Sequence, residues 1–172
     1  MTSEDRRFPI GPIQDLPARD RAALETVAAR MEATGREWRE AVSGLDTDGL
    51  ARTYRPGGWT VAGLAHHAAD AHIHGLNRLK YALTAEGYVI QPFAQEAWLT
   101  LADAALPVTE ALALIDTANA RWAALLRGTD PAQFARRVTH PQEGEQDLWR
   151  LVAKHDWHLR HHLAHVRLAL GG

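Results

Sequence analysis

The chain has no cysteine among its 172 residues. That excludes disulfides and thiolate metal sites, and it leaves the protein without a thiol nucleophile of its own. Any metal must be held by imidazole and carboxylate. Excess charge of one sign is also missing: the formal net charge is −2 and no basic run exceeds two residues. The chain therefore carries no electrostatic footprint for nucleic acid. The longest uncharged run, Pro56 to Ala69, is too short and too glycine-rich to span a bilayer. Met1 to Phe8 is charged and has no apolar stretch, so it does not read as a signal peptide. A soluble cytoplasmic protein without a membrane partner is expected. β-Branched residues are few beside alanine and leucine, a balance that favours helix.

What is present is a chain of one-domain length with 46% apolar residues, enough for a packed core. A single domain over residues 1–172 is expected, with residues 1–16 as an irregular N-terminal arm. Pro17 can open a helix in its first turn. From Arg19 to Val42 the apolar residues Leu24, Val27, Ala28, Met31, Trp38 and Val42 recur mostly at three- and four-residue steps. The turn-forming Tyr54-Arg55-Pro56-Gly57-Gly58 follows, and Thr60 is a good N-cap for a second helix over about Val61 to Ala85, stopped by Gly87. Ala94 to Ala102 reads as a short helical turn. Pro107 precedes a third long helix, Val108 to Leu126, with Gly128 closing it. Thr129 to Glu145 contains Pro131, Pro141 and Gly144 and reads mostly as loop. A fourth helix runs from about Asp147 to Leu170. Four long helices with long connectors predict an all-α four-helix bundle, and such connectors in a compact domain are often functional.

The chain holds ten histidines, and five of them, His155, His158, His161, His162 and His165, fall within eleven positions of the fourth helix. At about 100° per residue, His158, His162 and His165 share a face with Leu151 and Ala169, while Arg160 and Arg167 lie opposite. That face should point inward, and buried imidazoles need partners. On the second helix His67, His74 and Ala71 share a face. Two such helices can bring three imidazoles to one ion and leave a coordination position open, as in catalytic zinc sites; other divalent ions are equally compatible. Spacing alone does not separate His158/His162 from His161/His165, although facing favours the first pair. His66 can pair with Asp70 four residues on, and Asp70 or His66 can orient a ligand imidazole from behind. Trp59 and Trp157 read as packing anchors, Arg78 and Lys80 as solvated, and His140, which its loop position would also let line a mouth, as a surface residue.

These residues also carry a resemblance. Tyr54-Arg55-Pro56-Gly57-Gly58-Trp59-Thr60-Val61, His66-His67-Ala68-Ala69-Asp70-Ala71-His72, Arg78 to Thr84, Pro92 to Trp98, His140-Pro141 with Gly144, and Trp157 to His165 resemble the YfiT-type branch of the DinB-like superfamily. The resemblance implies a four-helix bundle holding one divalent metal, zinc or nickel, through three histidines. One follows the tryptophan of the turn motif by eight residues, which is His67, and the others are His158 and His162 of the Trp-His-x-x-x-His element. It further implies a metal-dependent hydrolase or bacillithiol transferase, so the expected function is transfer of a low-molecular-weight thiol, bacillithiol foremost, to an electrophilic small molecule. The metal would depress the thiol's pKa, and the nucleophile would arrive with the co-substrate, which agrees with the missing cysteine. Two other functions stay open: hydrolysis of an amide or ester by metal-activated water, and a non-catalytic, metal-containing binding module. A homodimer is compatible with any of the three.

Overall fold

The computed structural model describes residues 6–172. The first five residues of the expected arm, which are part of the segment read for a signal peptide, lie outside the described residues. Four long helices form the body: α1 (Arg21–Val42), α3 (Val61–Thr84), α5 (Val108–Gly128) and α6 (Leu148–Leu170), with short helices α2 (Thr47–Ala51) and α4 (Gln95–Trp98) in the connectors. Three of the four starts have a side-chain cap, and α5 follows Pro107 without one. The side chains of Asp20, Thr60 and Asp147 accept backbone N–H bonds from Ala23, Gly63 and Arg150 at 2.8, 3.0 and 2.9 Å, tying down N-terminal amides that have no partner within the helix. The first helix thus begins at an aspartate cap rather than at Pro17. At the far end of α6, Gly171 takes φ 94°, the left-handed conformation that closes a helix.

Around the bundle the neighbours are α1 with α5, α5 with α3, α3 with α6 and α6 with α1. Two apolar clusters stack along it. One joins Leu24 to Met31 of α1 and Leu148 to Val152 of α6 with Leu76 to Ala82 of α3 and Ala118 to Leu126 of α5. The other joins Trp38 and Val42 with Val61 to Ala69, Ala111 to Ile115, and Leu159 to Val166. The N-terminal halves of α1 and α6 therefore meet the C-terminal halves of α3 and α5. The order is up, down, down, up. Neighbouring α3 and α5 run parallel, so the chain between them, residues 85–107, must return along the whole bundle; α3, with 24 residues, is about 36 Å long. The other two long connectors join diagonal helices. The connector lengths follow from this topology.

Residues 129–147 are more ordered than their prolines and glycine suggest. A turn of 3-10 helix (Pro131–Ala135) leads into an antiparallel hairpin, β1 (Arg137–His140) and β2 (Gly144–Asp147), with Val138 opposite Gln146. Each strand has only four residues, too few for alternation to outweigh the turn residues around it. The hairpin is also held from outside: Ile90 N–H donates to Thr139 O at 2.8 Å, and Thr139 N–H donates to Tyr88 O at 3.1 Å. The returning connector is thereby clamped over the groove between α3 and α6.

Candidate metal centre

Three imidazoles meet where α3 faces α6. His67 Nε2 lies 3.2 Å from His158 Nε2, and His162 Nε2 lies 3.1 Å from the same atom. The three rings stand edge-on to one another, with interplanar angles of 61°, 75° and 86°. His158 and His162 are one helical turn apart on α6, so their rings project side by side. His67 comes from the apolar face of α3, where Ala68 and Ala71 are buried beside it. His67 and His162 are buried, and His158 is half-buried at the edge of a cavity.

Burial holds all three rings in the neutral form. It pushes the His67 imidazolium down to about 4. It also drives His158 and His162 well below the usual histidine range, with the neighbouring imidazoles adding to the effect. A neutral imidazole carries one nitrogen lone pair, and here three Nε2 atoms converge with no carboxylate among them. Nitrogens at about 2.0–2.1 Å from a tetrahedral zinc stand about 3.3–3.4 Å apart, close to the two spacings observed. The donor set fits one divalent cation with a position left open.

A second layer surrounds the triad. His165 Nδ1 is 3.3 Å from His162 Nδ1, so one ring nitrogen of His162 is tied behind while the other faces the site. Tyr54 stacks on His165 with centroids 4.0 Å apart. Trp59 packs 4.5 Å from the His67 ring and 5.8 Å from the His162 ring. The turn between these aromatics explains its glycines: Gly57 has φ 68°, and a Cβ on Gly58 would stand 2.9 Å from the Tyr54 ring. The Pro-Gly-Gly sequence folds Tyr54 and Trp59 back over the centre.

This second layer is not the expected one. The His66 ring is turned away, with Nε2 bonded to Leu106 O at 3.0 Å, and among the described residues Asp70 makes no hydrogen bond to a triad ring. Burial and then the nearby Asp103 raise the Asp70 carboxyl, while His66 opposes them. His165 shares the inward face of α6 with His158 in the sequence pattern, and that was the available signal. The alternative pair does not face α3: His161 stacks on Trp157 at 4.2 Å and groups with His162 and His165. His74 also stays outside the centre, bonded through Nε2 to Gln91 O at 2.9 Å.

The triad opens into a cavity of about 570 Å³, a size suited to a small molecule. His67 and His158 form one part of its wall, Phe93 and Glu96 of the returning connector another, and Arg78 and His140 a third. Arg78 and His140 were expected to be solvated and at the surface; both are buried. The clamped connector and hairpin cover them, a tertiary effect invisible in local pattern. Trp59 does more than anchor packing, since it touches the triad and donates from Nε1 to Glu96 Oε2 at 3.0 Å.

Comparison with known proteins agrees with this architecture. The chain is 39% identical to a Geobacillus kaustophilus protein over 96% of its own length and 94% of that protein, which is named, in provisional terms, as a metal-dependent hydrolase. The solved structure of YfiT from Bacillus subtilis superposes with a TM-score of 0.88 at 31% identity, covering 94% of each chain; it is described as a "probable metal-dependent hydrolase with an unusual four-helix bundle topology". A mycothiol-dependent maleylpyruvate isomerase shares the fold with a TM-score of 0.66 at 18% identity, over 83% of this chain and 60% of that one. None of the described helices is long and apolar enough to cross a membrane. The family model for the DinB superfamily matches residues 16–166, the stretch that supplies every element around the three imidazoles, and the chain belongs to that superfamily.

Proposed function

We propose that this protein is a metal-dependent enzyme that transfers a low-molecular-weight thiol to an electrophilic small molecule, with bacillithiol, the thiol its family resemblance suggests, as co-substrate. The observation that carries this reading is the convergence of three neutral Nε2 atoms, two of them on rings that line a ligand-sized cavity. His67, His158 and His162 would hold one divalent ion, zinc or nickel. Such an ion supplies a Lewis acid that lowers the pKa of a thiol or water brought to it.

The chain's own residues do the rest. His165 fixes the ring of His162, and Trp59 and Phe93 shield His67 from water. The half-buried His158 leaves the centre accessible from the cavity. The chain has no cysteine, so the sulfur must enter with the co-substrate. In the reaction the thiol loses its proton to water, sulfur forms a bond to the electrophilic carbon, and the leaving group departs with its electron pair. A thiol acidified in this way needs no protein base, and the His-only triad provides none. The biological role would be detoxification of electrophiles in a reducing compartment such as the cytoplasm.

One observation favours a second reading, hydrolysis. Glu96 lines the same cavity, and its carboxylate can accept a proton from an attacking water. The names of the relatives point the same way. The two readings separate in one experiment. Metal-loaded protein is incubated with 1-chloro-2,4-dinitrobenzene and, separately, with a panel of activated esters, each with and without bacillithiol. Thioether formation that needs both protein and thiol supports transfer. Thiol-independent ester cleavage, abolished by Glu96→Gln, replaces it with hydrolysis.

A further inference from the structure

Beyond the triad, the cavity has an end whose polar groups the proposed chemistry does not use. Arg78 lines it, is only 7% exposed, and makes one hydrogen bond, from Nη2 to Gln91 O at 3.0 Å. Its Nε is buried without a partner, and no ion pair among the described residues involves it. A buried guanidinium without a carboxylate carries a desolvation cost that a native fold seldom leaves unanswered.

One neighbour is also a hydrogen-bond donor in want of an acceptor. His140 Nδ1 accepts from the backbone N–H of Gln142 and Glu143, both at 3.2 Å, which places the ring proton on Nε2, 3.7 Å from Glu143 Oε1 and so beyond hydrogen-bond reach of it. His155 also lines the cavity, but its two ring nitrogens are buried against Gly75 of α3 and supply no donor to it. Gly75 holds it there, since the ring occupies the space a Cβ would need. Lys154 is the other cation of the lining, and it is paired with Glu143, the one acidic side chain at this end. Glu143 therefore acts on Arg78 only from beyond salt-bridge distance, and Arg78 keeps no carboxylate partner of its own.

We propose that this end of the cavity is a carboxylate subsite: Arg78 pairs with a carboxylate of the small molecule whose reacting atom lies at the triad, and His140 Nε2–H adds a hydrogen bond to it. The substrate class is therefore an acid with its carboxylate several bonds from the reacting atom. Arg78 lies eleven residues beyond His67 on α3, about 16 Å along the helix, and its side chain leans back toward the helix N-terminus and shortens that gap. The location of the reacting atom rests on the function proposed above; the subsite itself does not.

The test compares mercaptohexanoic acid with its neutral analogue mercaptohexanol on zinc-loaded protein by calorimetry, and hexanoate with hexanol on the full chain stripped of metal by NMR. Wild-type protein should prefer the acid about tenfold or more in both arms. Arg78→Gln should bring both ratios close to one while leaving affinity for the neutral thiol unchanged, a result that a purely structural arginine would not give. If neither thiol binds but the hexanoate preference persists and depends on Arg78, the thiol function fails and the subsite stands. No preference for acid in the wild type, or a preference unchanged by Arg78→Gln, overturns the subsite. Should Arg78→Gln not fold, Arg78→Lys decides: a reduced ratio upholds the proposal and an unchanged one sinks it.

Discussion

Gly75 of α3 and His155 of α6 touch so closely that a methyl group on the glycine would lie 2.2 Å from the imidazole Cε1. The two helices approach at this point because one side chain is absent. The helix gives up propensity there, and the cavity gains a fixed imidazole. Gly75→Ala should therefore destabilise the protein. Overpacking of a buried ring costs about 1–3 kcal/mol, and the better helix former recovers up to about 1 kcal/mol. Denaturant titration of Gly75→Ala, His155→Ala and the double variant checks this. The double variant should be less destabilised than the sum of the two single changes, and strict additivity would refute the contact.

Metal content separates the triad from its surroundings. The double change His158→Ala/His162→Ala should abolish stoichiometric metal, as should His67→Ala alone. His165→Ala should weaken metal affinity about 10–100-fold through loss of the support behind His162. His66→Ala should leave affinity unchanged, because its ring is bonded to Leu106 O. Elemental analysis of purified protein and competition with a chelating dye measure all four. Metal retained by the double variant would rule out the centre.

Stability should fall with acid in a defined window. The buried His72 bonds Asn119 Oδ1 at 2.7 Å, and burial lowers its pKa to about 4. The unfolded chain binds a proton near the usual histidine value while the folded chain refuses it. Stability is then full above about pH 6.5 and declines as pH drops toward 4, by up to about 3 kcal/mol from this one group. His67 acts in the same direction in metal-free protein. Unfolding free energies of metal-free wild type and His72→Gln between pH 4 and 7 check this: the variant should show a slope smaller by about one proton.

Trp59 should report the centre optically. Its ring is 4.5 Å from His67 and 5.8 Å from His162, whereas Trp157 stacks on His161 and donates to Gly11 O at 3.1 Å. Adding metal should change the intrinsic fluorescence of the wild type. Trp59→Phe should remove most of that change, and Trp157→Phe should keep it.

Much of the fold is legible residue by residue. Thr60 caps the helix expected after it, and the apolar steps from Leu24 to Val42 form a buried stripe. The inward face of α6 is the face computed from a 100° wheel. The loop-like stretch 129–145 misleads because its order comes from hydrogen bonds to residues 88–90, far away in sequence. Arg78 and His140 mislead for the same reason. Their types favour the surface, and only the connector and hairpin folded over them make them part of a cavity wall. His66 and Asp70 satisfy a local pairing rule, yet Leu106, at the end of the returning connector, captures the His66 ring.

By itself the sequence determined helix positions, the exclusion of cysteine thiolates of its own and the faces on which imidazoles gather, because these depend on composition and on a periodicity fixed by backbone geometry. The family resemblance named His67, His158 and His162; the tertiary structure alone decided that His165 stands behind the centre and that a cavity joins it to Arg78. Those outcomes depend on how two helices dock and on which connector covers the groove between them. Contacts of that kind are set by packing across the whole bundle, and no local pattern encodes them.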